Sequence, residues 1–496
     1  MPTDFALPTS QEYIRFLPEI ILTLGGILLM VLAGFAKEGE TEQPMMPTLS
    51  MGVLLAALAA AFYASTIPGD AFNGMLLVDG FATFFRILVL IVGILTVFAS
   101  TQYLRRERAE SGEFHALLLF SIVGQCILAS ANELMMVFIG LEISSIASYI
   151  LAGYLRDDKR NNESALKYFL LGSFATAFLL YGIAWIYGVT RTTNLAGIRE
   201  AISATGGNIP IALVGAAAAL LFVGFAFKIS VVPFQIWAPD VYQGAPAPVS
   251  AFLSAGPKAA AFAVFVRVFV TAFEPISARW QPIVWVCALL TMIVGNFAAL
   301  TQTNIKRLLA YSSIAHAGYI LVAVTALANS QGAEDATAAV MFYLAAYAFM
   351  NIGAFAVVTH VARKGEKHVD IDDLAGLGQR QPAVAAMFTI FLLSLIGVPL
   401  TAGFFGKFYI FKAALDAHLV WLTVLGLLNS AVGAYYYLKI LVVMYMNEPG
   451  EAMRELPPVG SGVNIALWLS AVATLVLGIF PGLILDVASR SANIVR

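Results

Sequence analysis

Several ionisable residues lie in apolar stretches long enough to cross a membrane, and five of them are candidates for one relay. Glu142, Lys228 and Lys258 lie near the middle of such stretches, and His316 and Lys407 occupy similar ones. One charge at the bilayer centre costs about 2.5–3.5 kcal/mol on insertion scales, so the first three together would cost roughly 8–10 kcal/mol. Hydration, pairing or loss of the proton must offset that cost. Each of these points to an interior, wet, titratable site.

Lysine has the chemistry of a proton relay. Burial of an ammonium group favours loss of its proton, and an approaching carboxylate favours its return. Glu142 is the candidate carboxylate for Lys228, and movement of one relative to the other would load or unload a proton. The alternative is a Glu–Lys pair that only fixes the register of two helices.

His316 lies near the centre of its apolar stretch, just after the segment "SSIA". A single histidine in an apolar helix is commonly a hydrogen-bonded packing residue. Its depth matches that of Glu142 and Lys258, which favours a relay role, because imidazole both accepts and gives a proton near neutral pH.

Two prolines interrupt apolar stretches, Pro233 in "SVVPF" and Pro399 in "GVPLTAGFFGK". Proline removes a helix hydrogen bond, so each position is either a packed kink or a true break. Three glycines in the second segment favour unwinding there. Freed carbonyls at membrane depth must face protein or water. Breaks beside Lys228 and ahead of Lys407 would admit water to both lysines.

Composition places the whole chain in a membrane. It has 496 residues, of which 60% are hydrophobic and 12% charged, whereas soluble proteins carry about 25% charged residues. A net charge of -2 argues against a nucleic-acid partner. Cys126 and Cys287 lie within apolar stretches and are interpreted as small hydrophobic residues, with no disulfide framework and no metal site.

The hydropathy pattern predicts an all-α polytopic membrane protein with fourteen transmembrane helices and no strand pattern. The predicted spans begin near residues 15, 47, 78, 114, 133, 164, 211, 248, 282, 308, 337, 383, 418 and 463. Polar connections between them are too short for a soluble domain.

An internal repeat relates the two halves. The segment "SSIASYILAGY" from Ser144 resembles "SSIAHAGYILV" from Ser312, and Pro233 finds a counterpart in Pro399 at a similar offset. Each unit contains five spans, so the second copy must enter the membrane from the opposite face. Inverted repeats with broken helices near the midplane are typical of transporters. We predict helices 1–3 at residues 1–110, repeat 1 (helices 4–8) at 111–275, repeat 2 (helices 9–13) at 276–446 and helix 14 at 447–496.

Loop charge predicts the orientation. One side carries fourteen basic residues and the other, which holds both termini, carries seven. The richer side comprises Lys37, Arg105, Arg106, Arg108, Arg156, Lys159, Arg160, Lys306, Arg307, Arg363, Lys364, Lys367, Arg380 and Arg454. The poorer side comprises Arg15, Arg191, Arg199, Arg279, Lys412, Arg490 and Arg496. Both termini are therefore predicted on the outer, periplasmic side.

Several segments resemble the antiporter-like membrane subunits of bacterial NADH–quinone oxidoreductase (respiratory complex I), and its subunit N family in particular. They are "LPEIIL", "GLEISSIASYIL", "FKISVVPFQIWAPDVYQGAPAPVS", "GVPLTAGFFGKFYIF" and "YYYLKIL", and the resemblance extends over essentially the whole chain. It implies fourteen helices, two inverted five-helix repeats, broken helices 7 and 12, and a polar axis at mid-depth. Glu142, Lys228, Lys258 and Lys407 take the family's helix-5, helix-7, helix-8 and helix-12 positions.

One position departs from the family pattern. The motif commonly has a histidine after "VPF", whereas this chain has Gln235. Glutamine does not exchange a proton near neutral pH, so we expect Gln235 only to hydrogen-bond water.

The resulting hypothesis is a proton-translocating subunit of the bacterial inner membrane. No strand–GxGxxG–helix element for NADH and no cysteine cluster for iron–sulfur is found in the sequence. The resemblance implies that NADH, flavin, iron–sulfur clusters and quinone belong to other subunits, and that subunit M and small membrane subunits are neighbours in the bilayer.

Two alternatives stay open: an Mrp-type cation/proton antiporter subunit with the same fold, and a structural spacer of the membrane arm. The sequence also leaves open whether Asp79 and Arg86, seven residues apart in span 3, pair or contact a neighbouring subunit.

Overall fold

The computed structural model describes residues 7–35, 43–109, 111–204, 210–329, 332–454 and 456–492. Lys37 and Arg496, which entered the loop-charge count, lie outside these ranges, as do both chain ends.

The described residues are mainly α-helical. The first eleven helices are α1 Ser10–Arg15, α2 Leu17–Gly34, α3 Met46–Ser65, α4 Gly80–Glu107, α5 Gly112–Ser130, α6 Leu134–Ala152, α7 Lys159–Thr190, α8 Leu195–Ala204, α9 Ile211–Lys228, α10 Trp237–Gly244 and α11 Ala247–Thr271. The others are α12 Ser277–Leu300, α13 Ile305–Ala326, α14 Ala333–Val361, α15 Leu377–Arg380, α16 Pro382–Ile396, α17 Ala402–Asp416, α18 Val420–Met446, α19 Glu451–Arg454, α20 Ser461–Ile479 and α21 Gly482–Ser491.

Thirteen helices in the described ranges are long and apolar enough to cross a membrane. The short apolar helix α16 and the following α17 together supply the twelfth crossing, and α9 with α10 forms the seventh. The fourteen predicted spans are therefore confirmed, with starts that agree to within a few residues. A short hairpin of β1 (Gly69–Ala71) and β2 (Leu76–Val78) was not predicted, because three-residue strands are too short to show alternation.

Spans 8, 10 and 11 form the core of the bundle. Almost every residue of α11, α13 and α14 is buried, whereas α2, α3, α7, α18 and α20 expose large apolar side chains on their outer faces. An exposed apolar face is the expected surface for lipid or for another membrane subunit. The core helices α11 and α13 carry Lys258 and His316.

Both proline segments are true breaks. In the first, Ser230 adopts a left-handed φ of 60°, and the Val232 N–H donates to the hydroxyl of Thr291 on α12 at 3.0 Å. In the second, Gly397 has a φ of 93°, and the Gly403 N–H donates to the Ser394 hydroxyl at 3.0 Å. Side chains thus satisfy backbone groups that the helix no longer pairs. The broken helices 7 and 12 are confirmed at the predicted positions.

Two buried arginines are neutralised inside the bundle. Arg86 pairs with Glu19 at 2.7 Å, and Arg267 forms a bidentate pair with Asp79 at 2.9 and 2.8 Å. Asp79 also caps α4 by accepting the Ala82 N–H at 2.7 Å. Asp79 and Arg86 therefore do not pair with each other, and both find partners within this chain.

Glu366 joins both halves of the chain at one end of the bundle. Its carboxylate pairs with Lys306 at 2.5 Å and accepts the Tyr103 hydroxyl at 2.8 Å and the Ala247 N–H at 2.7 Å. Lys306 is fully buried in the first turn of α13 and also donates to the Ala245 carbonyl. The prediction of Lys306 as a loop charge is therefore wrong, because the side chain is buried and joins two connections.

We expect Asp79→Asn to lower the stability of the subunit by about 3–5 kcal/mol, because it leaves the buried Arg267 guanidinium without its counter-ion. Asparagine is itself a good N-cap, so the loss would come from the ion pair. The amount of assembled complex and its thermal unfolding midpoint measure the effect. Asp486→Asn is the control, since Asp486 is exposed. Equal stability of the two variants would contradict the prediction.

We expect Gly403→Ala to disturb the second break. An added Cβ would lie 1.8 Å from the Ser394 carbonyl oxygen, so the two halves of helix 12 would have to move apart. Overpacking of this kind costs about 1–3 kcal/mol. Less assembled complex on a native gel is the expected result. Gly52→Ala, where nothing lies within 4 Å, is the matched control and should assemble normally.

Candidate functional site: a buried row of lysines

Lys228 is the last residue of α9, at the edge of the first break. Its ammonium group donates to the Tyr149 hydroxyl at 3.3 Å and lies 4.9 and 5.2 Å from the ring centroids of Tyr149 and Tyr168. Aromatic faces attract a cation without taking its proton. Lys228 is only half-buried within this chain, so part of its surface lies towards the outside of the subunit.

Glu142 lies on α6 within electrostatic range of Lys228, but the lysine donates its hydrogen bond to Tyr149 instead. The Glu142 Oε1 atom is buried and has no hydrogen-bond partner among the described residues. The predicted partners are therefore neighbours in the fold without a direct ion pair. A small movement of either side chain would change the attraction between them.

A cluster of hydroxyls follows on α5 and α6. The Ser121 hydroxyl lies 3.2 Å from that of Ser144 and 3.1 Å from that of Ser148, and it accepts from the Gln125 amide at 3.1 Å. The Gln125 Oε1 atom points at Gly256 of α11, where an added Cβ would lie only 2.6 Å away. These groups form a hydrogen-bonded cluster between spans 4 and 5, and the Gln125 Oε1 atom, which has no hydrogen-bond partner among the described residues, lies against span 8.

A small cavity separates Lys228 from α11. Ser144, Ser148 and Pro257 line it together with the lysine, and its volume of ≈ 10 Å³ is about enough for one water molecule. A water there would have hydroxyl and ammonium partners. Most of the lining is apolar, and the serine hydroxyls and the Lys228 ammonium group are its polar part, so the cavity lies between Lys228 and the helix that carries Lys258.

Lys258 lies inside α11 and is 2% exposed. Its ammonium group donates to the Ser313 carbonyl at 2.9 Å and to the Ser313 hydroxyl. The Tyr347 ring centroid lies 6.0 Å away. The group that holds this lysine is thus the second serine of the repeated "SSIA" segment.

His316 lies one helical turn beyond Ser312 on α13, enclosed by tyrosines. Its Nδ1 atom lies 2.6 Å from the Tyr343 hydroxyl, and its Nε2 atom lies 3.2 Å from the Tyr437 hydroxyl. Tyr437 is in turn hydrogen-bonded to Ser312. Both imidazole nitrogens therefore contact hydroxyl groups, which either donate or accept a proton.

His316 also lies within electrostatic range of both Lys258 and Lys407. It therefore lies between these two lysines.

Lys407 lies on α17, just after the second break, and is 8% exposed. Its ammonium group donates to the carbonyls of Leu395 and Ile396 at 3.1 and 2.8 Å and to the Ser430 hydroxyl at 2.8 Å. It also lies 4.8 Å from the Tyr319 ring centroid. The carbonyls end α16, so the break itself supplies the oxygens that hold the lysine.

Gln235 lies in the first break, between α9 and α10. Its Oε1 atom is buried without a hydrogen-bond partner in the described part of the chain. The side chain thus has a free acceptor at the place where the resemblance leads one to expect histidine.

The structure brings the predicted residues into one row. Its order is Glu142, Lys228, Lys258, His316 and Lys407, and Pro233 and Pro399 interrupt the helices that hold its two outer lysines. The hydroxyl groups between them were not singled out from the sequence. Ser313 lies in the repeated segment and Tyr437 in "YYYLKIL", so both motifs contained a signal, but neither motif indicates which helix the side chain faces.

Comparisons with known proteins agree with this architecture. Residues 131–433 match the family described as NADH:quinone oxidoreductase/Mrp antiporter, TM. NADH-quinone oxidoreductase subunit N 1 of Solibacter usitatus is 65% identical over 494 residues, with 99% of each chain covered.

Two solved structures share the fold. A chain of respiratory complex I from Thermus thermophilus with bound aureothin matches with a TM-score of 0.80 and 34% identity, covering 95% of this chain and 99% of that one. A chain of the Mrp complex from Dietzia matches with a TM-score of 0.84 and 22% identity, covering 98% and 97%, which is a likeness of fold. The chain therefore belongs to the NADH:quinone oxidoreductase/Mrp antiporter membrane family and, within it, to the subunit N family of NADH-quinone oxidoreductases.

Proposed function

We propose that this chain is a proton-translocating membrane-arm subunit of NADH–quinone oxidoreductase and that protons move along the row from Glu142 to Lys407. The observation that carries the proposal is how the buried cations are held. Arg86, Arg267 and Lys306 contact carboxylates, whereas the three lysines of the row contact hydroxyls, carbonyls and aromatic rings. A fixed carboxylate keeps an ammonium charged, but neutral partners leave it able to release its proton.

Lys228 receives the proton first in this proposal. Its side chain is half-buried beside a helix break, and Glu142 lies near it without touching it. A conformational or electrostatic change in a neighbouring subunit would move the carboxylate relative to the ammonium group. When the two approach, the proton is held, and when they separate, it is released.

The proton then passes to Lys258 through the cavity and the serine cluster around Ser144. From Lys258 it reaches His316 through the hydroxyl groups of α13 and α18, and from there Lys407. Hydroxyl groups and water can relay a proton because each accepts a proton on one side and donates another on the other side. Lys407 releases the proton on the outer side.

Redox chemistry belongs to partner subunits. The relative from Solibacter usitatus is named as a subunit of an NADH-quinone oxidoreductase, and NADH, flavin, iron–sulfur clusters and quinone act elsewhere in such a complex. This chain contributes the coupled proton movement and no electron transfer.

A partner subunit covers the face that contains the first break. Pro233 is exposed there, Ile236 is 69% exposed, and Glu142 and Lys228 are only half-buried. Lipid would leave these two charges unsatisfied at membrane depth. We assign this face to a neighbouring membrane-arm subunit, subunit M or one of the small subunits, in an inner membrane with both termini on the periplasmic side.

The Mrp-type antiporter is the second candidate, and the fold is shared with it. Sodium sites use carboxylate and carbonyl oxygens. The row has three lysines and one carboxylate, which favours protons over sodium. A structural spacer is the remaining alternative. A spacer gives no reason to bury lysines without carboxylate partners, so the row argues against it.

We expect Lys228→Ala in the intact complex, reconstituted in liposomes, to lower NADH–quinone turnover and proton uptake by about tenfold or more. Lys228→Arg should lower turnover and proton uptake by a similar factor, because a guanidinium keeps the positive charge but does not release its proton. Lys412→Ala is the control, since this exposed lysine pairs only with Asp416. Normal pumping by Lys228→Arg, with assembly intact, would make the lysine a structural charge.

We expect His316→Asn and Lys407→Met each to lower proton uptake. The proton uptake of the double variant should be no lower than that of the more impaired single variant. Residues that act in series on one path give non-additive effects. Proton uptake per NADH oxidised measures the loss, normalised to the amount of assembled complex. Losses that multiply in the double variant would place the two residues on separate paths.

A further inference from the structure

A groove of ≈ 420 Å³ opens on the outside of the bundle between α9, α11 and α12. It is lined mainly by apolar residues, among them Ala212, Gly215, Ala219 and Phe222 of α9, Phe269 of α11 and Ile283 of α12. The α9 residues lie on one face of the helix, and three of them are small, which makes this face concave. The volume is within the usual range of ligand sites.

One end of the groove carries an exposed cation. Arg279 lines the groove in the first turn of α12. No salt bridge or hydrogen bond of its guanidinium is found among the described residues, and the nearby Glu274 pairs with Arg199 at 3.5 Å instead. An arginine at the end of a span lies at headgroup level, where it attracts anionic groups.

The length of the groove matches one leaflet. From Ile211 to Phe222, α9 rises about 16 Å, roughly half of a hydrocarbon core about 30 Å thick. The groove is open along its length to the outside of the bundle, and its floor is made of small and apolar side chains with the exposed Arg279 near one end. A long apolar chain with an anionic end is complementary to both features. A single acyl chain is the shape that fits.

We propose that the groove binds an anionic phospholipid, with one acyl chain along α9 and the phosphate paired with Arg279. The site lies between the two repeats, because α9 belongs to the first and α12 to the second. Thr291 of α12 also holds the first break through the Val232 N–H. The bound lipid therefore fills the seam between the helix that ends in Lys228 and the helix that supports its break.

The test is photo-labelling of the intact complex with phosphatidylglycerol that carries a diazirine in its acyl chain, followed by peptide mapping. Labels should appear on the α9 and α12 segments that line the groove. Gly215→Leu should abolish them, because nothing lies within 4 Å of an added Cβ and a larger side chain at this position projects into the groove. Gly188→Leu, equally open but on α7, is the matched control and should keep the labels.

The role of the Arg279 charge is tested separately. Arg279→Gln should lower labelling by the anionic probe about fivefold, and Arg279→Lys should retain it. Labelling by the matching phosphatidylcholine probe should be weak in every form. The proposal is overturned if Gly215→Leu leaves the labels unchanged, or if Arg279→Gln has no effect. It is also overturned if the lipid probe places no label on the α9 and α12 segments that line the groove.

Discussion

Polar groups inside the hydrocarbon must find their partners within the protein, because lipid offers none. The two helix breaks and the lysines beside them satisfy this constraint together. The break after α16 frees carbonyls that an intact helix would have paired, and Lys407 donates to two of them. An intact helix 12 would leave the lysine short of acceptors, and an apolar residue at 407 would leave the carbonyls unpaired.

The same constraint separates the buried cations into two groups. Arg267 and Arg86 contact carboxylates in rigid pairs at one end of the bundle, and Glu366 ties Lys306 to the connections at the other end. These pairs hold α4, α11 and α13 in place. Lys258, between them on the core helix α11, contacts only the neutral oxygens of Ser313. On α11, a buried cation with a carboxylate partner and a buried cation with neutral partners thus lie on one helix.

The repeat explains why a single chain contains two breaks but an unequal set of side chains between them. The first "SSIA" segment contacts its own repeat, where Ser144 meets Ser121. The second contacts the other repeat, where Ser313 meets Lys258. Beyond these segments the two copies differ, since Ser148 of the first corresponds to His316 of the second at the same offset. One backbone arrangement therefore presents serine hydroxyls beside a small, mainly apolar cavity in one half and an imidazole within electrostatic range of two ammonium groups in the other.

The sequence by itself determined the membrane class, the fourteen spans and the two breaks, because apolar run length and proline are local signals. Unpaired charge is a local signal as well, and it predicted the five residues of the row. Only the tertiary structure decided the partners. Asp79 pairs with Arg267 across 188 residues of sequence rather than with Arg86 seven residues away, and Lys306 is buried where its position indicated a loop. Ser313 and Tyr437 became contacts of Lys258 and His316 because helix packing sets the rotation of each span about its own axis. That rotation depends on side chains from distant helices, and no local pattern in the sequence encodes it.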